Sequence, residues 1–206
     1  MTAAPHQTAA RTVGSVAHLV VLSLLATGLV IVALRPATQR CERIGYAIEV
    51  SAPDHLRDEF RFAAQELGLR TGLVFEEVLP EVAELKVEWA EGGVAAPTDG
   101  SPAEEPGMRT VAYASGAWAA AAAGAKFLGG TIDVDATWEW SSGLSRGGGL
   151  AAVLVHELGH IVGLSHSDDE SSFMSPMAVD VPRQWTAVEL EQLAAIGRHA
   201  GCQTVA

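Results

Sequence analysis

His156-Glu157-Leu158-Gly159-His160-Ile161-Val162-Gly163-Leu164-Ser165-His166 is the stretch from which the rest of this chain can be read. In a helix, His156 and His160 lie on one face, one turn apart. Two imidazole nitrogens can then reach a single Zn²⁺ at about 2.0–2.1 Å. Glu157 directly follows the first histidine, so its carboxylate points beside that metal rather than at it. A carboxylate so placed can take a proton from an activated water and return it to a leaving group. Gly163 suits the left-handed conformation that ends a helix, and a turn there can bring back His166 as a third ligand. Three protein ligands leave one position for water or a substrate carbonyl, which is the catalytic arrangement rather than the structural one. A His-Glu-x-x-His string alone can arise on a solvent-facing helix. The glycine and third histidine at fixed offsets argue against coincidence. Leu150, Val153, Leu154, Val155, Leu158, Ile161 and Val162 make the helix largely buried. Imidazole and carboxylate groups on a buried helix need partners, and a metal supplies one.

Past this motif comes Ser172-Phe173-Met174-Ser175-Pro176. With His156–Ser167 (HELGHIVGLSHS), this stretch resembles the metzincin metalloproteases, and among them the matrixins most closely. Met174 is similar to the family's Met-turn methionine, which lies beneath the metal ligands; taken alone it would read as core filler. The resemblance implies an α+β catalytic domain: a mixed twisted sheet with an N-terminal helix, an active-site helix and a C-terminal helix. It implies one catalytic Zn²⁺ on His156, His160 and His166, with Glu157 as general base and Gly163 and Met174 as structural residues. The implied activity is zinc-dependent endopeptidase, and the implied partner is a protein or peptide substrate.

Some positions depart from the family pattern. Gly129–Asp135 (GGTIDVD) looks like the strand before the active-site helix, but Asp133 stands where a structural-zinc histidine is common. Asp135 matches a calcium ligand, yet Trp138 replaces its acidic companion. These changes count against a second zinc and against Ca²⁺. Ala178 replaces the tyrosine of the specificity-pocket wall, and Arg40-Cys41 is only a fragment of an inhibitory cysteine switch. They leave open an alternative, a catalytically silent binding module on the same fold at the membrane.

The formal net charge of −12 makes nucleic acid a poor partner. Lys86 and Lys126 are the only lysines, and asparagine is absent, which removes every N-glycosylation acceptor. Cys41 and Cys202 bracket the folded region. In an oxidising compartment they form a disulfide tying the ends together; in a reducing one they are two unrelated thiols.

Residues 13–34 (VGSVAHLVVLSLLATGLVIVAL) hold no charged side chain apart from a possible charge on His18. As a helix this run spans about 33 Å, enough for a hydrocarbon core of about 30 Å. It exceeds the apolar region of a cleaved signal peptide and lacks a clean small-x-small site, so a transmembrane signal anchor is the expectation and secretion after cleavage the alternative. The expected order is an N-terminal tail at 1–12, the anchor at 13–34, a linker at 35–43 and the metalloprotease domain at 44–206. Arg35, Arg40 and Arg43 follow the run and only Arg11 precedes it. The positive-inside rule would thus put the domain in the cytoplasm. The cysteine pair and the resemblance to secreted proteases point the other way, to a single-pass membrane protein with an extracytoplasmic domain.

Outside the motif, Ile44–Val50 predicts a strand and Pro53 opens a helix to about Leu69, with the stripe Leu56, Phe60, Ala63, Ala64 and Leu67. Leu73–Leu79 and Leu85–Ala90 predict two more strands. Residues 91–107, rich in Gly, Pro and acids, predict a solvated loop. Arg109–Ser115 resembles the edge strand that pairs with extended substrate in the family, and the alanine run 117–125 gives no clear expectation. Gly147-Gly148-Gly149 loosens the start of the metal helix. Thr186-Ala187-Val188-Glu189 is a capping box for a helix to about Arg198. His55 and His199 lack ligand-like spacing and read as surface histidines.

Overall fold

The computed structural model describes residues 41–94, 110–121, 124–139, 149–176 and 182–202. The apolar run 13–34, most of the loop 91–107, Gly147, Gly148 and Ala178 lie outside them. Among the described residues no helix is long and apolar enough to cross a membrane.

Five strands form one sheet: β1 (Arg43–Ile48), β2 (Val74–Glu77), β3 (Leu85–Ala90), β4 (Ala112–Ala121) and β5 (Gly124–Asp135), in the order β2-β1-β3-β5-β4. The first three pairings along this order are parallel, and β4 runs antiparallel to β5. The helices are α1 (Asp54–Thr71), α2 (Gly149–Val162) and α3 (Ala187–His199). The sheet is therefore mixed, with an N-terminal helix, a central helix carrying the histidines and a C-terminal helix, as the α+β reading requires.

Side-chain alternation decides which sheet face is covered. On β3, Leu85 and Val87 are buried while Lys86 and Glu88 are exposed. Ile132 and Val134 continue the covered face on β5. The whole α1 stripe read from the sequence is buried, and the Phe60 ring lies 4.7 Å from that of Tyr46 on β1. Gly72 ends α1 at φ 78°, its N–H donating to Gly68 O at 2.7 Å.

The described part of the alanine run, 117–121 and 124–125, lies in strands. It extends β4 to Ala121, paired with a β5 that starts at Gly124, earlier than the sequence suggested. Alanine has little intrinsic preference for strands, so the partner strand decides here. The register slips between Ala117 and Trp118, which pairs with Phe127 and leaves Leu128 as the extra, exposed residue. The bulge keeps the Trp118 and Phe127 rings together, 5.3 Å apart.

Cys41 and Cys202 form a disulfide with Cα atoms 4.2 Å apart, joining the start of β1 to the end of α3. Beside it, Glu42 N–H donates to Ala200 O at 3.2 Å. α3 also packs on α1, where Gly197 lies against the Thr71 carbonyl so closely that a Cβ would collide with that oxygen. Gly197→Ala is therefore expected to destabilise the protein by about 1–3 kcal/mol, despite alanine's better helix propensity. Urea unfolding followed by circular dichroism measures this; a neutral or stabilising result would contradict the packing described.

Candidate metal centre

Helix α2 presents His156, Glu157 and His160 in successive turns, and all but a few of its residues are buried. It ends in a Schellman motif. Gly163, at φ 106°, donates to His160 O at 3.0 Å, and Leu164 N–H donates to Gly159 O at 2.9 Å. No atom crowds Gly163, so its left-handed backbone, not space, explains the glycine. The turn brings His166 back against the helix. The ring centroids of His156, His160 and His166 lie 4.6 Å, 5.2 Å and 4.7 Å apart pairwise. One ligand atom from each ring falls within 4.8 Å of the others, the only such group among the described residues.

Hydrogen bonds fix which nitrogens converge. His156 Nδ1 lies 2.8 Å from Phe173 O, and His160 Nδ1 lies 2.9 Å from Leu164 O. A carbonyl can only accept, so each Nδ1 carries the proton and each Nε2 turns a lone pair inward. The two Nε2 atoms are 3.0 Å apart. Two lone pairs at that distance repel unless a cation lies between them. A proton fits poorly, because burial and then the neighbouring His160 push His156 down to about 3. Burial lowers His160 and His166 as well. Tetrahedral zinc would separate two imidazole nitrogens by about 3.3 Å, close to the spacing seen. The donor set fits zinc.

Glu157 is 5% exposed. Burial pushes its carboxyl up to about 8, and a hydrogen bond from the Ala114 amide on β4 pulls the other way. Because β4 is the outermost of the described strands, that amide places the carboxylate at the junction of β4 and α2. Trp118 secures the same junction, its indole N–H donating to Ile161 O at 2.8 Å.

Met174 is fully buried, and its main chain is held at both ends. Its N–H donates to Ser172 Oγ at 2.8 Å, and its carbonyl accepts from Ser167 N–H at 2.8 Å. Ser172 in turn donates to Glu189, whose other oxygen accepts from Thr186 N–H at 2.8 Å. The capping box of α3 thus reaches the Met174 turn, a link the sequence motif alone does not reveal.

Asp133, Asp135, His55 and His199 lie apart from this cluster. Asp135 is fully buried, and its Oδ1 accepts from Thr137 N–H at 2.8 Å and from the Thr137 hydroxyl at 2.7 Å. Burial and then Glu88 raise the Asp133 carboxyl.

Gly159, an unspecified position in the sequence motif, matters here. A Cβ on it would run into the Met174 sulfur. Gly159→Ala should lower stability although helix propensity alone favours it by about 1 kcal/mol. In a urea double-mutant cycle with Met174→Ala, the two changes should couple by more than about 0.5 kcal/mol. Additive effects would show that the two residues do not constrain each other.

Comparison with known protein families matches the matrixin family over residues 39–197. Human matrix metalloproteinase-15 is 33% identical over 147 residues, covering 66% of this chain and 19% of that protein. Cat matrilysin is 45% identical over 49 residues, covering 24% of this chain and 19% of that protein. The chain therefore spans 19% of the length of each of these curated relatives. The match over 39–197 takes in the sheet, the first two helices, all but the last two residues of α3 and the three-histidine cluster, and on it the chain belongs to the matrixins, a zinc metalloprotease family.

Proposed function

We propose that this protein is a zinc-dependent endopeptidase in which His156, His160 and His166 hold one metal ion and Glu157 is the general base. The observation that carries the reading is the convergence of three imidazoles on the helix that also carries a buried carboxylate hydrogen-bonded to the outermost described strand. Zinc in such a site lowers the pKa of water to about 7 and polarises a carbonyl. The remaining work falls to the chain. β4, with one edge free of other strands among the described residues, offers main-chain donors and acceptors to an extended peptide. Glu157, oriented by the Ala114 amide, receives the proton of the attacking water and delivers it to the leaving amine. A nearby dication favours the ionised carboxylate this role needs.

The reading extends to location. The apolar run 13–34 supports a single membrane anchor, and the Cys41–Cys202 disulfide supports an extracytoplasmic, oxidising setting for residues 44–206. The alternative of a silent binding module predicts zinc without turnover.

Glu157→Ala separates the two. In the full-length protein it should keep stoichiometric zinc and cut cleavage of casein or gelatin by about 10²–10⁴-fold. Chelation should abolish the wild-type activity and added zinc restore it. Wild-type zinc content with no cleavage would favour the binding module, and undiminished turnover in Glu157→Ala would refute the general-base role.

A further inference from the structure

Arg183 belongs to no feature read from the sequence. It lies on the segment leading into α3, where the neighbouring Gln184 pairs with the turn: Gln184 N–H donates to Ser171 O at 2.9 Å, and Gln184 O accepts from Phe173 N–H at 3.1 Å. Among the described residues no carboxylate pairs with the Arg183 guanidinium. Instead, Nη1 donates to Ser175 O at 2.8 Å and reaches Phe173 O at 3.4 Å. These carbonyls flank Met174. Phe173 O is also the acceptor for His156 Nδ1.

A half-buried guanidinium is a costly way to hold a loop, and burial lowers the Arg183 pKa. An apolar residue could close the loop without that desolvation. What an apolar residue could not do is donate from one nitrogen to two carbonyl oxygens. The grip falls on the atom that sets the tautomer and tilt of the first histidine.

We propose that Arg183 is a positioning residue for metal binding: it clamps the Phe173 and Ser175 carbonyls so that His156 presents Nε2 to the ion in a fixed orientation. The proposal rests on the reading of the three histidines as zinc ligands. It acts through Phe173 O and does not require Arg183 to touch substrate.

The test is zinc affinity of the full-length protein, measured by competition with a chromophoric chelator, alongside the thermal midpoint of the zinc-free form. Arg183→Met should weaken zinc binding by about tenfold or more, the range for partners that orient a ligand. Arg183→Lys keeps a cation and its donors but not the reach and planarity of the guanidinium, and should fall between wild type and Arg183→Met. Ile44→Val, a core change on β1 away from the histidines, should lower the zinc-free midpoint and leave zinc affinity unchanged. Affinity within about twofold of wild type in Arg183→Met would overturn the proposal. So would an equal loss in Ile44→Val, which would reduce the effect to general destabilisation. If Arg183→Met does not fold, Arg183→Lys decides: a loss of about threefold or more supports the clamp, and an unchanged affinity overturns it. A wild-type protein that binds no stoichiometric zinc would sink the ligand reading itself, and the clamp with it; zinc-binding wild type with unaltered Arg183 variants sinks the clamp alone.

Discussion

Two hydrogen bonds from imidazole Nδ1 to main-chain carbonyls govern the centre of this molecule. Phe173 O and Leu164 O take the protons of His156 and His160 and leave both Nε2 lone pairs facing each other across 3.0 Å. Burial disfavours the imidazolium form of both rings, most strongly that of His156. A Lewis acid suits that geometry. Both acceptors are main-chain atoms, so the orientation of the rings depends on the path of the backbone beneath them.

That backbone path depends on elements that carry no chemistry. Ser172, Glu189 and Thr186 run a polar chain from the turn into the first turn of α3. The far end of α3 is fixed by the disulfide and by the close crossing of Gly197 with Thr71. Glu189 therefore caps a helix and supports the Met174 turn at once, and its burial is tolerable because both carboxylate oxygens have partners. The C-terminal helix is part of the metal centre's foundation rather than an appendage to the sheet.

The motif was legible because its information is local. Histidines four residues apart and a glycine with a left-handed backbone are properties of a short segment, and the geometry of α2 follows from them. The α1 stripe and the Thr186–Glu189 capping box were legible for the same reason. What local reading missed depends on distant partners. The alanine run becomes β4 only because β5 pairs with it. Gly159 looks like a free position until Met174 is folded beneath it. Arg183 has no motif around it, and its role is defined by carbonyls eight and ten residues upstream. The Glu189–Ser172 contact joins two readable motifs whose connection exists only in three dimensions.

The central claim is that three imidazoles hold one zinc ion and leave one coordination position to solvent. X-ray absorption at the zinc edge of the full-length protein tests it most directly. The account predicts one zinc per chain, with three nitrogen neighbours and one oxygen at about 2.0–2.2 Å and no sulfur. A shell with a fourth protein nitrogen, a sulfur neighbour near about 2.3 Å, or no stoichiometric zinc would contradict it.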